Sequence, residues 1–379
     1  MLAASEADIE MLYEQPPAGG KVIKVADGLL WGRLPLPFRL NHVNVWFLKE
    51  NDGWTVVDSG CDTAEIRANW ETLLKSALGG KPLVRHVATH GHTDHIGLSG
   101  WLVKRFHMPF VSTLVEWLTP QVRVLEGQGG LRPEVETHLK SLACGDEMID
   151  RLKRDRHWAG ALIYPMPASL QRIRNTEEIV FGGRTWRVIT AGGHAAEHAS
   201  FYCASDNILI AGDQILPRIS PMIGVWSEQP DANPLLEYMT SLDRFRALPE
   251  DTLVLPSHGL PFMGLHRRID QLQEHHRERL ALLENLMDKP RNGMELATGL
   301  FKKAVHEGHA RLALAETLAH INYLLADKRA SRTTDKKGLL MFSRLSGKTA
   351  AGGKNAPVAK TAAKPRVAKA PARGVKAPQ

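Results

Sequence analysis

Short hydrophobic runs alternate with helical spacing through the first third of the chain. Residues 44–58 hold two apolar runs separated by the turn signal Glu-Asn-Asp-Gly, which predicts a β-hairpin. The apolar spacing of residues 63–78 fits a helix. Residues 82–89 then predict a strand and residues 98–106 a second helix. This succession predicts a fold built from layers of sheet and helix.

The β pattern returns further along the chain. Residues 179–189 read as one hairpin, and residues 201–213 hold two apolar runs that predict another. The intervening residues 107–170 look helical and irregular. This stretch is a candidate for a substrate lid or pocket, and structural packing alone would explain it equally well.

The C-terminal third has a different character. Residues 266–288 carry an apolar stripe with helical spacing, and further helices are predicted over residues 294–305 and 310–326. A short hairpin is predicted over residues 330–342. Three helices followed by a hairpin are typical of a small winged-helix domain, which would wall one side of a substrate pocket or form a homodimer contact. The sequence thus predicts three segments, with bounds 1–264, 265–342 and 343–379.

Charge is distributed unevenly over these segments. The chain has 48 Lys and Arg against 41 Asp and Glu, but residues 343–379 hold nine of the basic residues and no acidic one. The rest of the chain is therefore slightly acidic. Because this tail is rich in Ala, Lys, Pro and Gly, it has little to bury and is predicted to be disordered. It would act as a weak electrostatic arm for nucleic acid or anionic surfaces, or as a solubilising tail without a specific partner.

Cysteine content and hydropathy exclude several classes. Cys61, Cys144 and Cys203 lie far apart, which argues against a disulfide framework and a cysteine metal site and suits a reducing, cytoplasmic location. No run of eighteen or more apolar residues is present, so no membrane span is predicted. The acidic N-terminal residues lack the pattern of a secretory signal.

The strongest chemical signal is the segment Thr-His-Gly-His-Thr-Asp-His, which follows a predicted strand. Extended residues two apart point the same way, so His90 and His92 can converge on one metal ion. Asp94 and His95, where the chain turns into a helix, can face a second ion. Imidazole and carboxylate ligands with little sulfur suit zinc, with iron or manganese as further candidates.

Three other residues occupy comparable positions. His194 lies in a glycine-rich turn after a predicted strand, Asp213 ends another strand, and His258 ends a third. Sites on layered α/β folds are commonly built where a sheet edge passes into loops. We therefore expect all three to join the metal cluster, with Asp213 placed so that its carboxylate can bridge two ions.

Together these motifs resemble the metallo-β-lactamase superfamily. The HxHxDH segment, the "GGH" turn at His194, the "GD" at Asp213, the "SHG" at His258 and the "VDSG" at Asp58 all match, and the resemblance covers residues 20 to about 262. It implies an αββα sandwich with the metals at one edge of the sheets. It also implies a ligand set: His90, His92 and His194 for one ion, Asp94, His95 and His258 for the other, and Asp213 bridging, with Asp58 and His198 in support.

The resemblance also narrows the activity. The C-terminal part looks like the winged-helix domain of a branch that includes glyoxalase-like hydrolases and β-lactamase-like endoribonucleases. The third-histidine turn reads Gly-Gly-His-Ala-Ala-Glu-His where many relatives have Pro-Gly-His-Thr, but both His194 and His198 are present. Two zinc ions would activate a shared hydroxide for attack on a carbonyl or phosphorus centre, with Asp94 and Asp213 as catalytic residues.

The first hypothesis is a hydrolase of a small-molecule thioester, ester or lactone, since the chain outside the tail has no excess of basic residues. The alternative is a metal-dependent endoribonuclease, which the winged helix and the tail favour. Against it, the charged residues of the last predicted helix cancel, whereas a groove-binding helix is usually basic. A domain that only binds metal and a mononuclear iron oxygenase are further alternatives, and the complete ligand set argues against both.

Overall fold

The computed structural model describes residues 9–345. Seventeen strands lie within that range, seven of them in each of two sheets and three in a small third sheet. They are β1 (Glu10–Met11), β2 (Val22–Ala26), β3 (Leu29–Pro35), β4 (His42–Lys49), β5 (Trp54–Val57), β6 (Leu83–Val87), β7 (Phe110–Ser112), β8 (Gln171–Arg172), β9 (Glu178–Phe181), β10 (Arg184–Ala191), β11 (His198–Cys203), β12 (Ile208–Gly212), β13 (Leu253–Pro256), β14 (Phe262–Met263), β15 (Arg291–Asn292), β16 (Ala330–Thr334) and β17 (Leu340–Arg344).

The helices connect and cover these strands. They are α1 (Ala64–Thr72), α2 (Thr93–Ile96), α3 (Ser99–Phe106), α4 (Leu114–Gly129), α5 (Pro133–Ser141), α6 (Asp146–Ala161), α7 (Pro234–Phe245), α8 (Leu265–Leu286), α9 (Gly293–Leu300), α10 (Lys302–Ala304) and α11 (Ala310–Ala326). A π-helical turn, Leu73–Ala77, continues α1, and a second one, Val305–His309, precedes α11. Within residues 9–345, no helix has both the length and the apolar character needed to cross a membrane.

Two sheets form the centre of the fold. The first has the strand order β2-β3-β4-β5-β6-β7-β8 and the second β1-β14-β13-β12-β11-β10-β9. The first sheet turns parallel from β5 onwards, and β12 pairs in parallel with β13 in the second. Parallel neighbours bring their carboxyl ends to the same sheet edge, which is where loops can converge on a site.

Alternating side chains divide the apolar residues among three layers. On β4, Trp46 and Leu48 face the core between the sheets, while Val45 and Phe47 face the helices that cover the first sheet. Trp70 of α1 is completely buried in that outer layer. Helices α7 and α8 cover the second sheet in the same way. These layers confirm the predicted arrangement of two sheets between helices.

The C-terminal helices and the third sheet follow the predicted order. Strand β17 pairs with β15 and β16, and helix α11 spans the predicted residues 310–326. Strand β17 continues through Arg344, so Ser343 and Arg344 belong to the sheet rather than to the tail. The boundary predicted after residue 342 therefore moves to residue 345, and the predicted disorder of residues 346–379 lies outside the described residues.

Candidate metal centre

Three histidines from two loops form the first half of the centre. His90 and His92 follow β6, and His194 follows β10. His90 Nε2 lies 3.0 Å from His92 Nδ1 and 3.2 Å from His194 Nε2. Zinc–nitrogen bonds of roughly 2.0–2.1 Å in a tetrahedron place two ligand nitrogens about 3.3 Å apart. The three rings are therefore spaced to hold one ion.

An aspartate and two histidines form the second half. Asp94 and His95 lie on the helical turn α2, and His258 follows β13. Asp94 Oδ2 is 3.5 Å from His95 Nε2 and 3.4 Å from His258 Nε2. This spacing again leaves room for one cation among the three donor atoms.

Asp213 lies between the two halves, directly after β12. Its Oδ2 atom is 3.3 Å from Nε2 of His194, and its Oδ1 atom is 3.3 Å from Nε2 of His258. One carboxylate thus reaches a ring of each group. This is the geometry that a bridging ligand requires.

Hydrogen bonds behind the rings fix which nitrogen faces the centre. Asp58 Oδ2 lies 2.8 Å from His95 Nδ1, and the same carboxylate accepts from the backbone N–H and the hydroxyl of Thr89. Nε2 of His95 has no hydrogen-bond partner among the described residues. Asp58 therefore orients His95 from behind and does not itself face the centre.

Backbone carbonyls do the same for two other rings. Nδ1 of His258 lies 2.7 Å from the carbonyl oxygen of His42, and Nδ1 of His194 lies 2.9 Å from that of Met222. Each ring then presents Nε2 to the centre. Nε2 of His258 and Oδ1 of Asp213 are buried and have no hydrogen-bond partner within residues 9–345. Buried polar atoms without partners are costly, so a cation among them fits the donor set.

Burial and neighbouring charges shift the pKa values of the histidines in opposite directions in the two halves. Burial, together with the neighbouring histidines, lowers the pKa of His90 and of His92 well below the usual value, so both offer a neutral ring. Burial alone would lower the pKa of His258, but Asp213 and Asp94 raise it to about 9. A divalent cation would displace the proton that this ring otherwise carries.

His198 supports the centre without pointing into it. Its Nε2 atom accepts a hydrogen bond of 3.0 Å from the backbone N–H of Asp213. Burial, with His194 nearby, lowers the pKa of His198 to about 3, which keeps the ring neutral and able to accept. A Cβ on Gly212 would lie 2.4 Å from this nitrogen, so only glycine fits between the strand and the ring.

Glu116, on α4, connects the two loops that supply the first three histidines. Its carboxylate is 2% exposed and accepts hydrogen bonds of 2.7 Å from the backbone N–H groups of Gly91 and Glu197. Burial raises the pKa of Glu116. The sequence pattern carries no signal for Glu116, because this residue lies in the segment 107–170, where the pattern is irregular.

The structure brings together all seven residues proposed as ligands from the sequence. Within residues 9–345 they form three overlapping groups of potential ligands: His90, His92 and His194; His90, His95 and Asp213; and Asp94, His95 and His258. The residues that the sequence did not reveal are those whose backbone atoms or distant side chains hold the ligands: His42, Met222 and Glu116.

Family models match both parts of the described chain. Residues 39–258 match the model described as "Metallo-beta-lactamase superfamily", and residues 280–345 match "Metallo-beta-lactamase-like, C-terminal domain". The first match spans more than half of the chain. The protein therefore belongs to the metallo-beta-lactamase superfamily. It is a hydrolase of that fold, and the members of the family are generally metal-dependent.

Two solved structures resemble most of the chain. A beta-lactamase domain protein from Burkholderia ambifaria is 33% identical, with a TM-score of 0.78, over 89% of this chain and 99% of that one. A metallo-beta-lactamase family protein from Thermus thermophilus is 26% identical, with a TM-score of 0.70, over 85% of this chain and 100% of that one. Both likenesses extend beyond the two sheets into the C-terminal domain.

A curated relative is similar to this chain at lower sequence identity. The Caenorhabditis elegans protein named "Beta-lactamase-like protein 2 homolog" is 23% identical over 263 residues, which is 68% of this chain and 70% of the relative.

Proposed function

We propose that the protein uses two zinc ions to hydrolyse a small-molecule thioester, ester or lactone. The observation that supports this most directly is the position of Asp213, whose two oxygens each lie 3.3 Å from a histidine of a different group. A single metal would leave one of these groups without its cation. His90, His92 and His194 would hold one ion, Asp94, His95 and His258 the other, and Asp213 both.

The donor set fits zinc, and it would also accept iron or manganese. Two ions held in this way would supply a water of lowered pKa and would polarise the bond to be cleaved. The chain's own part is to hold the donors rigidly and to exclude bulk water. Nε2 of His95 and Nε2 of His258 are both buried, so bulk water does not reach these two nitrogen atoms.

Asp94 is the ligand best placed to handle a proton. Its side chain is 17% exposed, whereas those of His95 and Asp213 are 0% and 8% exposed. Oδ2 lies 3.5 Å from Nε2 of His95 and 3.4 Å from Nε2 of His258, so Oδ1 is the oxygen that these two rings leave for a proton. Asp94 Oδ1 would accept the proton from the attacking water and return it to the leaving group.

None of the three cysteines supplies a nucleophile at this centre. The three cysteines are buried, and burial raises the pKa of the Cys61 thiol and that of Cys144, the latter to about 12. Thiols of this kind are unreactive because the thiolate is the nucleophile. Water activated at the centre is therefore the attacking group in this proposal.

A panel assay tests the proposal. The purified full chain, loaded with zinc, is given thioesters, esters, lactones, a β-lactam, a phosphodiester and single-stranded RNA. Turnover of a thioester, ester or lactone that falls by several orders of magnitude in Asp213→Ala supports it. The matched control is Asp27→Ala, because the Asp27 side chain is 98% exposed and pairs with the nearby Lys24.

The endoribonuclease is the second candidate, because a winged helix and a basic tail, both predicted from the sequence, favour it, and residues 280–345 match a C-terminal domain of the family. Zinc-dependent cleavage of RNA without turnover of any carbonyl substrate would replace the hydrolase proposal with this one. The same Asp213→Ala variant decides whether the cleavage belongs to this centre or to a contaminating nuclease.

A further inference from the structure

The connection between β12 and α7 passes beside the metal centre. Residues 213–233 contain neither a helix nor a strand, and the first of them is the candidate ligand Asp213. Near the middle of this loop, the carbonyl oxygen of Met222 lies 2.9 Å from Nδ1 of His194. A segment without regular structure has to find partners for its backbone polar groups in other elements. Those partners therefore decide where the carbonyl of Met222 lies.

Arg268, near the start of α8, holds the first half of the loop. Its side chain is buried, and its Nε atom donates a hydrogen bond of 2.6 Å to the carbonyl oxygen of Leu216. Its Nη2 atom donates one of 3.0 Å to the carbonyl oxygen of Ile219, and Nη1 donates to the side chain of Gln271 on the same helix. The rigid fork of a guanidinium group can bond two such acceptors at once. One side chain thus fixes two points of the loop.

The charge of Arg268 strengthens this attachment. Burial lowers the pKa of Arg268 to about 10, so the group is still charged at neutral pH. Hydrogen bonds from a charged donor are stronger than those between neutral groups. Without the guanidinium group, the carbonyl oxygens of Leu216 and Ile219 would lose these donors. A change at Arg268 should therefore shift this part of the loop.

Helix α11 holds the second half of the loop. The backbone N–H of Val225 donates a hydrogen bond of 3.0 Å to the carbonyl oxygen of Ala315. Nδ2 of Asn322, on the same helix, donates to the carbonyl oxygens of Pro230 and Ala232, at 2.9 and 2.8 Å. The loop is thus attached to two C-terminal helices rather than to the sheet from which it starts.

The carbonyl that holds His194 therefore lies in a short segment with both ends fixed. Ile219, three residues before Met222, is held by α8, and Val225, three residues after it, is held by α11. Within the segment, Pro221 has a fixed φ and favours an extended conformation in the residue before it. The positions of α8 and α11 consequently limit where the carbonyl of Met222 can point.

We propose that Arg268 is a positioning residue of the metal centre, through which the C-terminal helices set the orientation of His194. Arg268 fixes the start of the segment 219–225, and the carbonyl of Met222 in its middle holds Nδ1 of His194. The ring then keeps Nε2 towards Asp213, 3.3 Å from its Oδ2 atom. This inference rests on the proposed function only in taking His194 as a metal ligand, and it concerns metal binding rather than the bond that is cleaved.

A purely structural role of Arg268 predicts a different behaviour. If Arg268 only stabilised the fold, its loss would lower the melting temperature and would weaken both metal positions alike. If it positions His194, the metal position that depends on this ring weakens selectively. The affinities of the two positions, measured separately in the folded protein, therefore distinguish the two roles.

Cobalt titration of the metal-free full chain, followed by absorption spectroscopy, measures these affinities. Cobalt(II) binds the same kinds of ligand as zinc, and its visible bands report the coordination geometry. His194→Ala identifies the binding step that depends on this ring, because that step should weaken most strongly. We expect Arg268→Gln to weaken the same step about tenfold, to change its bands, and to leave the other step within about twofold of wild type.

Two further variants complete the test. Arg268→Lys keeps the charge but reaches only one of the two carbonyl oxygens at a time, so we expect a smaller loss, of about threefold, at the same step. Arg277→Gln, at an exposed position of α8 where Arg277 pairs with Glu274, is the matched control and should bind both ions like wild type. Wild-type binding in either folded Arg268 variant, or equal weakening of both steps, would overturn the proposal. Arg268→Lys decides the matter if Arg268→Gln fails to fold.

The panel assay separates this proposal from the proposed hydrolysis. If cobalt binding changes as expected but no thioester, ester or lactone is hydrolysed, the proposed reaction fails and the role of Arg268 remains. If such a substrate is hydrolysed and Arg268→Gln binds both ions like wild type, the role of Arg268 fails and the hydrolase remains. If His194→Ala itself binds both ions like wild type, His194 is not a ligand and both proposals fail.

Discussion

At the residue scale, the rings of the centre are held from behind before any ion binds. Asp58 fixes Nδ1 of His95, and the carbonyl oxygens of His42 and Met222 fix Nδ1 of His258 and His194. Such partners set the tautomer and orientation of metal-binding histidines. Because the donors are already aligned, little ordering cost remains for metal binding.

Glu116→Gln tests this support at a residue whose carboxylate accepts hydrogen bonds from the backbone of the two ligand loops. Glutamine can accept only one of the two backbone N–H hydrogen bonds, and its NH2 group would oppose the other. We expect the fold to persist and metal affinity to fall about 10- to 100-fold. Metal retained against a competing chelator measures this, with the exposed Glu65→Gln as control. Unchanged retention would show that Glu116 does not position the two loops.

Gly212→Ala tests the close approach of β12 to His198. Gly212 has a φ of +58°, and an added Cβ would lie 2.4 Å from His198 Nε2. Gly183 has a φ of +68°, and a Cβ added there would have nothing within 4 Å. Gly183→Ala therefore measures the cost of the positive φ without a steric clash. We expect Gly183→Ala to cost about 1 kcal/mol of unfolding free energy and Gly212→Ala about 2–4 kcal/mol, with reduced metal retention in the second. Equal losses in urea denaturation would contradict the steric argument.

At the element scale, the apolar pattern predicts an element well where it is uninterrupted. The apolar run in β4 and the helical stripe on α8 predict both elements, and α11 begins and ends where expected. Helices α4 to α6 were harder to delimit, because Pro120 lies inside α4 and the apolar spacing is interrupted. The ligand residues were predictable from their spacing after strands. The carbonyls that orient them were not, since a carbonyl leaves no mark in a sequence.

Helix α11 carries a carboxyl group that should make stability depend on pH. Burial raises the pKa of Glu316 to about 7, although Arg279 of α8 opposes the shift. Its pKa in the unfolded chain is about 4.3, so the folded state binds the proton more tightly and stability falls as pH rises from about 4.5 through 7. Glu316→Gln should remove this loss and raise the unfolding free energy at pH 8.5 by roughly 1–3 kcal/mol.

The measurement is urea unfolding of wild type and Glu316→Gln at pH 5 and pH 8.5. Glu134→Gln, at an exposed position on α5, is the control. The difference in unfolding free energy between Glu316→Gln and wild type should be larger at pH 8.5 than at pH 5. A difference that is the same at both values would mean that Glu316 titrates normally.

At the scale of the whole molecule, the C-terminal elements share a core with the second sheet. Leu209 of β12 and Val254 of β13 belong to the same buried cluster as Ile269 of α8, Leu296 of α9 and Ile321 of α11. Removing the C-terminal domain would expose one face of that sheet. This domain therefore has an architectural role whatever it binds.

The chain ending at Leu345 separates this architecture from the basic tail. Leu345 donates its backbone N–H to the carbonyl oxygen of Arg329, and Arg344 donates its own to that of Met287, so an end after residue 342 would remove both hydrogen bonds and the last two residues of β17. We expect the shortened chain to keep its melting temperature within about 2 °C and its turnover of small substrates. A lower melting temperature would show that residues after 345 dock on the fold.

The same shortened chain tests nucleic-acid recognition. Binding of single-stranded RNA and duplex DNA is measured across a salt series. We expect no binding in the micromolar range, because the segment richest in uncompensated Lys and Arg has been removed. Micromolar or tighter binding that weakens steeply with salt would make the endoribonuclease the leading proposal.

The central claim is a centre of two metal ions bridged by Asp213. Metal analysis of the full chain, purified without added metal, tests it most directly when Asp213→Ala is analysed in parallel. We expect roughly two zinc ions per chain in the wild type and a loss from both positions in the variant. About one iron per chain, retained without Asp213, would contradict this claim.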